Sequence, residues 1–490
     1  MPHSFRRRGS TRTLLIAAVA AATTLASGCG GDGKGGVGPN GVRGIQMVAG
    51  AGITDTITAE PTQSLVVEVR DERGEARSGI VVRFEPLAGP SGYPYDANIL
   101  VGALDQRDWA WLVVDTTDSR GRASARIKLG GTAGPASVQV AVPDLGMVDT
   151  AHFTVKPGAG ARVIAAPKDT ALYAGRSFSL RGSVVDRFGN PTAGTITYSF
   201  VGSAVTLSGK VVTGQTEGRA KVIVTALANI SDTTYVSVLP EGVLAAFSSD
   251  GIVMFNTDGS GYRKLATSTN GGMTTDWSPN GSEVVFDSQF GDRIRVVDLA
   301  GNVRYANSTG GSGWEIYPEF APDGRTIYYS KESWRMHRVN RDGTGDELVP
   351  TNSPSSDVFP SLSPDGTRMV YVVAGGGGQD ALRLLTLATG EVTVINVPGH
   401  SPSWSPTGDR IAFLDPQSYA LKVMNPDGTG VRQVSQGDAS YGFGIDWSPD
   451  GRWIVAKNGR NNMIELVDAT NGVTLPLGFT NGMNGPSWRP

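Results

Sequence analysis

The sequence predicts an all-β protein, two β-sandwiches followed by a six-bladed β-propeller. Three observations carry that prediction. Glycine fills 66 of 490 positions and proline 28, while charged residues make up only 18%, a composition that favours tight turns over helix. A short landmark recurs six times in the last half of the chain at steps of 41 to 43 residues, the spacing of four short strands per propeller blade. Ahead of it, two diverged copies of one strand-and-turn pattern occupy residues 43–239. Hydrophobic residues, at 39%, suffice for several cores, and no apolar run after residue 28 nears the ~20 residues that a membrane-spanning helix needs.

Residues 1–28 read as a signal peptide. Arg6, Arg7, Arg8 and Arg12 form a basic start, Leu14 to Ala22 an apolar middle, and Leu25-Ala26-Ser27-Gly28 a small-residue cleavage site. Cys29, the one cysteine in the sequence, stands at the cut. This arrangement resembles a bacterial lipoprotein signal, with the leucine one place further from the cysteine than the usual motif has it. The resemblance implies lipid attachment at Cys29, and Gly30 after it implies sorting to the outer membrane. A lone cysteine leaves no disulfide and no thiolate metal cage. Residues 29–42, half of them glycine, read as a flexible tether. Loss of residues 1–28 removes four arginines and no acid, taking the net charge from −3 to −7 and arguing against a nucleic-acid partner.

The two sandwiches are expected at 43–156 and 157–240, aligned on three anchors. The first is a strand ending in a turn, Val67 to Gly74 against Val184 to Gly189, where Asp and Gly supply the turn chemistry. The second is Gly121-Arg122-Ala123 against Gly218-Arg219-Ala220, each leading into an alternating strand. The third is Asp149-Thr150 against Asp232-Thr233, opening a last strand. The first copy is longer, largely through Gly89 to Asp108 with Tyr93, Tyr95 and the nearby Trp109 and Trp111, a segment that either covers its own sandwich or touches a ligand. These anchors, with Leu172-Tyr173-Ala174-Gly175 opening the second copy, resemble bacterial immunoglobulin-like domains. That resemblance implies a stalk or an adhesin.

The propeller is expected over 241–490. Its landmark reads Trp277-Ser278-Pro279-Asn280-Gly281, Phe320-Ala321-Pro322-Asp323-Gly324, Leu362-Ser363-Pro364-Asp365-Gly366, Trp404-Ser405-Pro406-Thr407-Gly408, Trp447-Ser448-Pro449-Asp450-Gly451 and Trp488-Arg489-Pro490. Val243 to Ala266 holds the later strands of a repeat without a landmark, and the last residues hold a landmark without later strands. Joining the halves closes a six-bladed ring without free edges. The pattern looks like the TolB-type β-propeller repeat. Its name-giving member is a periplasmic partner of an outer-membrane lipoprotein whose N-terminal domain differs from the sandwich pair here.

Catalytic chemistry is not signalled. His152, His337 and His400 are scattered without a zinc spacing; Gly311-Ser312-Gly313 runs into Trp314, breaking a nucleophile elbow; Gly209-Lys210 is followed by Val211, breaking a phosphate loop. The Asp-Gly pairs lack the acid spacing of a calcium loop, so turn chemistry accounts for them. No metal or cofactor is expected. Two sets of residues remain as candidate sites. Asp276, Glu319 and Asp446 precede the landmark aromatic in three repeats, where Ser361, Ser403 and Ser487 stand in the others; as channel-mouth carboxylates they suit a cation or a partner's lysine, or stand solvated. Trp314, Tyr317, Trp334, His400, Tyr419, Tyr441 and Phe443 fall in loops at one propeller face and suit a peptide or glycan, or pack blade against blade. The expected function is therefore non-enzymatic binding of an envelope protein or carbohydrate, with the membrane reached through the N-terminal lipid. Its rivals are a polysaccharide lyase or lactonase and a structural spacer.

Overall fold

The computed structural model describes residues 44–87, 98–226, 230–267, 272–287, 293–306, 314–331, 334–351, 353, 356–375, 380–436 and 439–490. Cys29, Tyr93 and Tyr95 lie outside these residues. Among the described residues the structure is strand and turn with no α-helix. The chain divides into two compact units, 1–158 and 159–490.

The first unit contains β1 (Gly44–Ala49), β2 (Thr54–Thr56), β3 (Leu65–Arg70), β4 (Val81–Pro86), β5 (Ile99–Gly102), β6 (Val113–Thr116), β7 (Arg122–Leu129), β8 (Gly134–Val142) and β9 (Met147–Lys156). They form two sheets, ordered β1-β3-β7-β5 and β2-β9-β8-β4-β6. Alternation puts Ala123, Ala125, Ile127 and Leu129 of β7 inward against Phe84, Val138 and Val140. The described part of the aromatic insertion covers its own sheet. Val101 bridges Ala110, and the Arg126 guanidinium lies 4.6 Å from the centre of the Trp109 ring while its Nε donates to the Ala103 carbonyl at 2.9 Å.

The second unit opens with β10 (Arg162–Ala166), β11 (Thr170–Tyr173), β12 (Ser177–Ser179), β13 (Arg181–Val185), β14 (Pro191–Thr192), β15 (Ile196–Val201), β16 (Val205–Ser208), β17 (Val211–Gly214), β18 (Gly218–Ala226) and β19 (Ile230–Leu239). The sheets are β10-β13-β14, β12-β17-β16 and β11-β19-β18-β15. Topology matches β9 to β19, each with a parallel neighbour (β2, β11) on one side and a hairpin partner (β8, β18) on the other. The first anchor holds in both regions. Asp71 Oδ1 accepts the Arg73 and Glu75 amides, and Asp186 Oδ1 the Phe188 and Asn190 amides, with Gly74 and Gly189 at positive φ. The second anchor does not. Gly121-Arg122-Ala123 leads into β7, which pairs with β3 and β5, whereas Gly218-Arg219-Ala220 leads into β18, whose counterpart is β8. Both strands alternate small apolar residues, so sequence alone matched two strands with different neighbours. The Asp-Thr pairs of the third anchor lie two residues inside β9 and β19 instead of opening them.

Six four-stranded antiparallel sheets follow. Five begin at Thr275, Ile316, Ser356, His400 and Tyr441, and each descends directly from its first strand through the landmark turn. In the first, Val243–Ser248 pairs with the last strand of the chain, Asn484–Trp488, through Leu244↔Trp488 and Ala245↔Ser487. The landmark's residues explain the turn. The serine hydroxyl accepts the amide five residues on, Ser363 from Arg368 at 2.9 Å and Ser448 from Trp453 at 2.8 Å; the aspartate accepts the amide two residues on; the glycine takes positive φ. This part of the unit is continuous with the strands before it. Leu239 shares a core with Leu244, Trp453 and Trp488, Asp258 N donates to the Tyr173 hydroxyl at 3.2 Å, and Glu217 accepts from Arg452 at 2.5 Å and the Trp453 indole at 3.1 Å.

Candidate functional site

The innermost strands of the six sheets surround a channel with a cavity at each end. On the landmark side a cavity of about 390 Å³ is lined by Trp277, Phe320, Leu362, Trp404, Trp447 and Trp488 with the landmark prolines. On the other side a cavity of about 100 Å³ is lined by Thr274, Tyr317, Phe359, Ser401, Gly444 and Pro486 among others.

Asp276, Glu319 and Asp446 border both cavities, so they sit within the channel and not at its mouth. Nor are they simply solvated, because each holds the next sheet. Asp276 Oδ2 accepts the Phe320 amide, Glu319 Oε1 the Leu362 amide and Asp446 Oδ2 the Trp488 amide, all at 2.7 Å. Ser361 does the same for Trp404 at 3.0 Å, and Ser487 bonds the Thr275 hydroxyl at 2.8 Å. The polar residue before the landmark aromatic is thus a stitch between neighbouring sheets. Burial pushes the Asp446 carboxyl up to about 7. Burial first, and the charge of a neighbouring carboxylate second, raise Asp276 and Glu319 well above the usual carboxylate range. Among the described residues no group of three or more His, Cys, Asp or Glu side chains is arranged to hold a metal ion.

The structure sorts the seven aromatic candidates into three places. Tyr317, His400 and Phe443 come together around Phe359, which sequence reasoning missed, and of these rings Tyr317 and Phe359 line the smaller cavity. Tyr317 stacks on Phe359 at 3.7 Å between ring centres, Phe359 meets His400 at 4.5 Å, and His400 stacks on Phe443 at 4.7 Å; Tyr419 stands 6.3 Å from His400. Trp314 and Trp334 form a separate edge-to-face pair at 5.8 Å, 47% and 40% exposed. Tyr441 belongs to neither. It is 2% exposed in a core, and its hydroxyl donates to Glu465 at 3.1 Å. A tyrosine in an innermost strand faces either the channel or the neighbouring sheet, and here it faces the sheet.

A backbone feature builds the aromatic cluster. Tyr317, Phe359 and Ser401 each precede a proline and take φ of 56°, 54° and 44°; Gly444 and Gly485 take 79° and 53° at the equivalent positions. Five of the six innermost strands shift register at this point. Positive φ in a bulky residue is strained and persists only when its surroundings hold it. Asp287 supplies part of that hold, accepting the Met273 amide at 2.7 Å and the Tyr317 amide at 3.1 Å. The signal was present in the sequence as a proline two residues before the landmark aromatic in four repeats: Pro318, Pro360, Pro402 and Pro486. His400 is partly buried, which lowers its pKa, with Asp380 3.8 Å away opposing the shift.

A ring of such sheets, stitched at five of its six landmarks by the residue before the landmark, is a β-propeller of the TolB class. The TolB beta propeller domain family matches residues 224–490, more than half of the chain, and the chain belongs to that family. It is similar to an uncharacterised protein of Agrobacterium fabrum (29% identity over 203 residues, 36% of this chain and 68% of that one). It is also similar to the Tol-Pal system protein TolB of Gluconobacter oxydans (35% over 104 residues, 18% of this chain and 22% of that one) and a TolB homolog of Chlorobium luteolum (30% over 131 residues, 25% and 29%). The chain thus spans less than a third of the length of the two TolB relatives. Among solved structures, TolB from Acinetobacter baumannii aligns over 69% of this chain and 90% of its own at 15% identity, with a TM-score of 0.43.

Proposed function

We propose that this protein is a non-enzymatic, lipid-anchored binding protein of the cell envelope. In this reading Cys29 carries the lipid, residues 43–156 and 157–240 are immunoglobulin-like sandwiches, and residues 241–490 are a six-bladed propeller that captures an envelope protein. The observation that carries it is the aromatic cluster in which Tyr317, Phe359, His400 and Phe443 from four sheets meet, with Tyr317 and Phe359 lining the cavity at one channel end. Strained aromatic positions that converge on an opening suit recognition, because buried aromatic anchors dominate interface energy. The TolB relatives, one of them named a Tol-Pal system protein, favour a protein ligand over a glycan.

The test has two arms. Cross-linking from a photoreactive side chain placed at Phe443 in living cells should trap a distinct envelope protein, and Phe443→Ala with Trp314→Ala should weaken its capture by the purified protein while leaving the fold intact. Cross-links confined to lipid or peptidoglycan, or undiminished capture by the folded double variant, would refute the protein-binding reading. Separately, Cys29→Ala should release the chain from membranes.

A further inference from the structure

Strand β15 ends its sheet, and among the described residues it pairs on one side only, with β18. Its counterpart in the first unit, β4, pairs on both sides, with β8 and with β6. The side chains register the difference. Phe84 on β4 is wholly buried, whereas Phe200 on β15 is 40% exposed and Val201 62%.

Folded proteins blunt free edges with charges, prolines, bulges or shortness. The other sheet-end strands here do so. β1 shifts register between Met47 and Ala49, β10 carries Arg162, Glu391–Pro398 carries an acid and a proline, and Pro318, Pro360, Pro402 and Pro486 interrupt channel-side strands. Among the described residues, β15 is the one sheet-end strand longer than four residues that has none of these. Its sequence, Ile-Thr-Tyr-Ser-Phe-Val, is strand-prone, its register with β18 is unbroken, and no charged residue stands between Arg187 and Lys210.

We propose that β15 is a strand-addition surface for a second copy of this chain, two β15 strands pairing antiparallel across a two-fold axis. A charged residue on such an axis would meet its own charge, while Ser199 there meets only another serine and no residue of β15 is charged. Centred on Ser199, the pairing sets Tyr198 opposite Phe200 of the other copy, an aromatic cross-strand pair that covers the exposed ring. The inference is independent of what the propeller binds.

The test is light scattering after size exclusion on the mature chain, with Cys29→Ser keeping it free of membranes, over a dilution series. The expected mass is that of two protomers at high concentration, falling to one on dilution. Ser199→Lys and Ser199→Glu, at an exposed position, should each be monomeric with the melting temperature of the dilute wild type. An equal mixture of the two should regain the two-protomer mass, because lysine then faces glutamate across the axis. A wild-type chain that is monomeric throughout, a dimer that survives Ser199→Lys, or a mixture that stays monomeric overturns the proposal.

Discussion

At the landmark end of the channel the six sheets contribute nearly the same residues, an aromatic or leucine beside a proline each time; at the other end they contribute Thr274, Tyr317, Phe359, Ser401, Gly444 and Gly485, a range from glycine to tyrosine. The same strands build both ends. Repetition at one end and divergence at the other separate the residues that make the ring from those available for recognition. The ring-making residues are bound to one another. The Trp447 indole donates to the Ser403 carbonyl at 3.0 Å, and Arg410 covers the Trp447 ring at 4.9 Å. At the diverged end the backbone is strained, and the Tyr317 and Phe359 rings stack on each other beside a small cavity. A sequence position that repeats faithfully is therefore weak evidence for a ligand here, and the diverging positions deserve the mutations.

The largest effect should come from the repeated end. Trp447→Ala removes a ring that is 4% exposed, its hydrogen bond to the neighbouring sheet and its cover of Ile445 and Ile454. A loss of about 3–5 kcal/mol is expected for a buried tryptophan cut to alanine. Chemical denaturation with the change followed at the propeller's own transition measures it, and a loss below about 1 kcal/mol would mean that the landmark aromatics are not what holds the ring.

The channel carboxylates should give the next largest effect, visible in pH. Burial raises Asp446 from 3.8 to about 7 in the folded protein, so the fold binds that proton more tightly than the unfolded chain does. Its contribution is complete below the unfolded value and is lost as pH rises through about 7, and Asp276 and Glu319, raised for the same reason, run the same way. His400, lowered by burial, contributes in the opposite sense, losing stability as pH falls. Comparing wild type with Asp446→Asn isolates the acid. The melting temperature of the variant should fall less than that of wild type as pH rises from about 5 to about 8. Parallel curves would place Asp446 in a wetter setting than its bonds to the Trp447 and Trp488 amides imply.

Much of the ring-building end was legible in the sequence, because proline, glycine and serine punctuate turns at fixed offsets and the period survives divergence. The pairing of Val243–Ser248 with Asn484–Trp488 could be anticipated from a repeat split between two places. The diverged end was legible only in outline. Tyr317, His400 and Phe443 were visible as loop aromatics, but Phe359 lies inside a strand that reads as ordinary alternation, and only the bulge before Pro360 turns it to the channel. Tyr441 erred the other way, since nothing local distinguishes a ring facing the next sheet from one facing the opening. The same blindness mismatched β7 with β18. Period-two alternation reports that a strand has an inner face, while its neighbours are set by residues far away in sequence.

At the diverged end the stability cost should shrink and the binding cost grow. Phe359→Ala removes the ring stacked on Tyr317 but, unlike Trp447→Ala, no hydrogen bond to a neighbouring sheet. A stability loss of about 1–3 kcal/mol is expected, below that of a landmark tryptophan. If Phe359 holds the cluster together, His400 and Phe443 lose their common neighbour, and the quenching of a fluorescent probe attached at Tyr419 should change in the variant. A loss as large as that of Trp447→Ala would erase the distinction between the two ends.

The smallest effect on the fold belongs to Trp314→Ala. The ring is 47% exposed and touches Trp334 edge to face at 5.8 Å, so its removal should change stability by no more than about 0.5 kcal/mol. The same substitution should weaken partner capture by about 2 kcal/mol, roughly thirtyfold, if the ring lies centrally in the interface. That combination, a silent fold with a large binding loss, is what an exposed aromatic at a diverged position should show and a ring-making residue cannot. Calorimetry of the unfolding transition beside titration of the cross-linked partner separates the two quantities. A Trp314→Ala protein that binds normally would confine recognition to the cluster around Phe359, where rings from neighbouring sheets already touch.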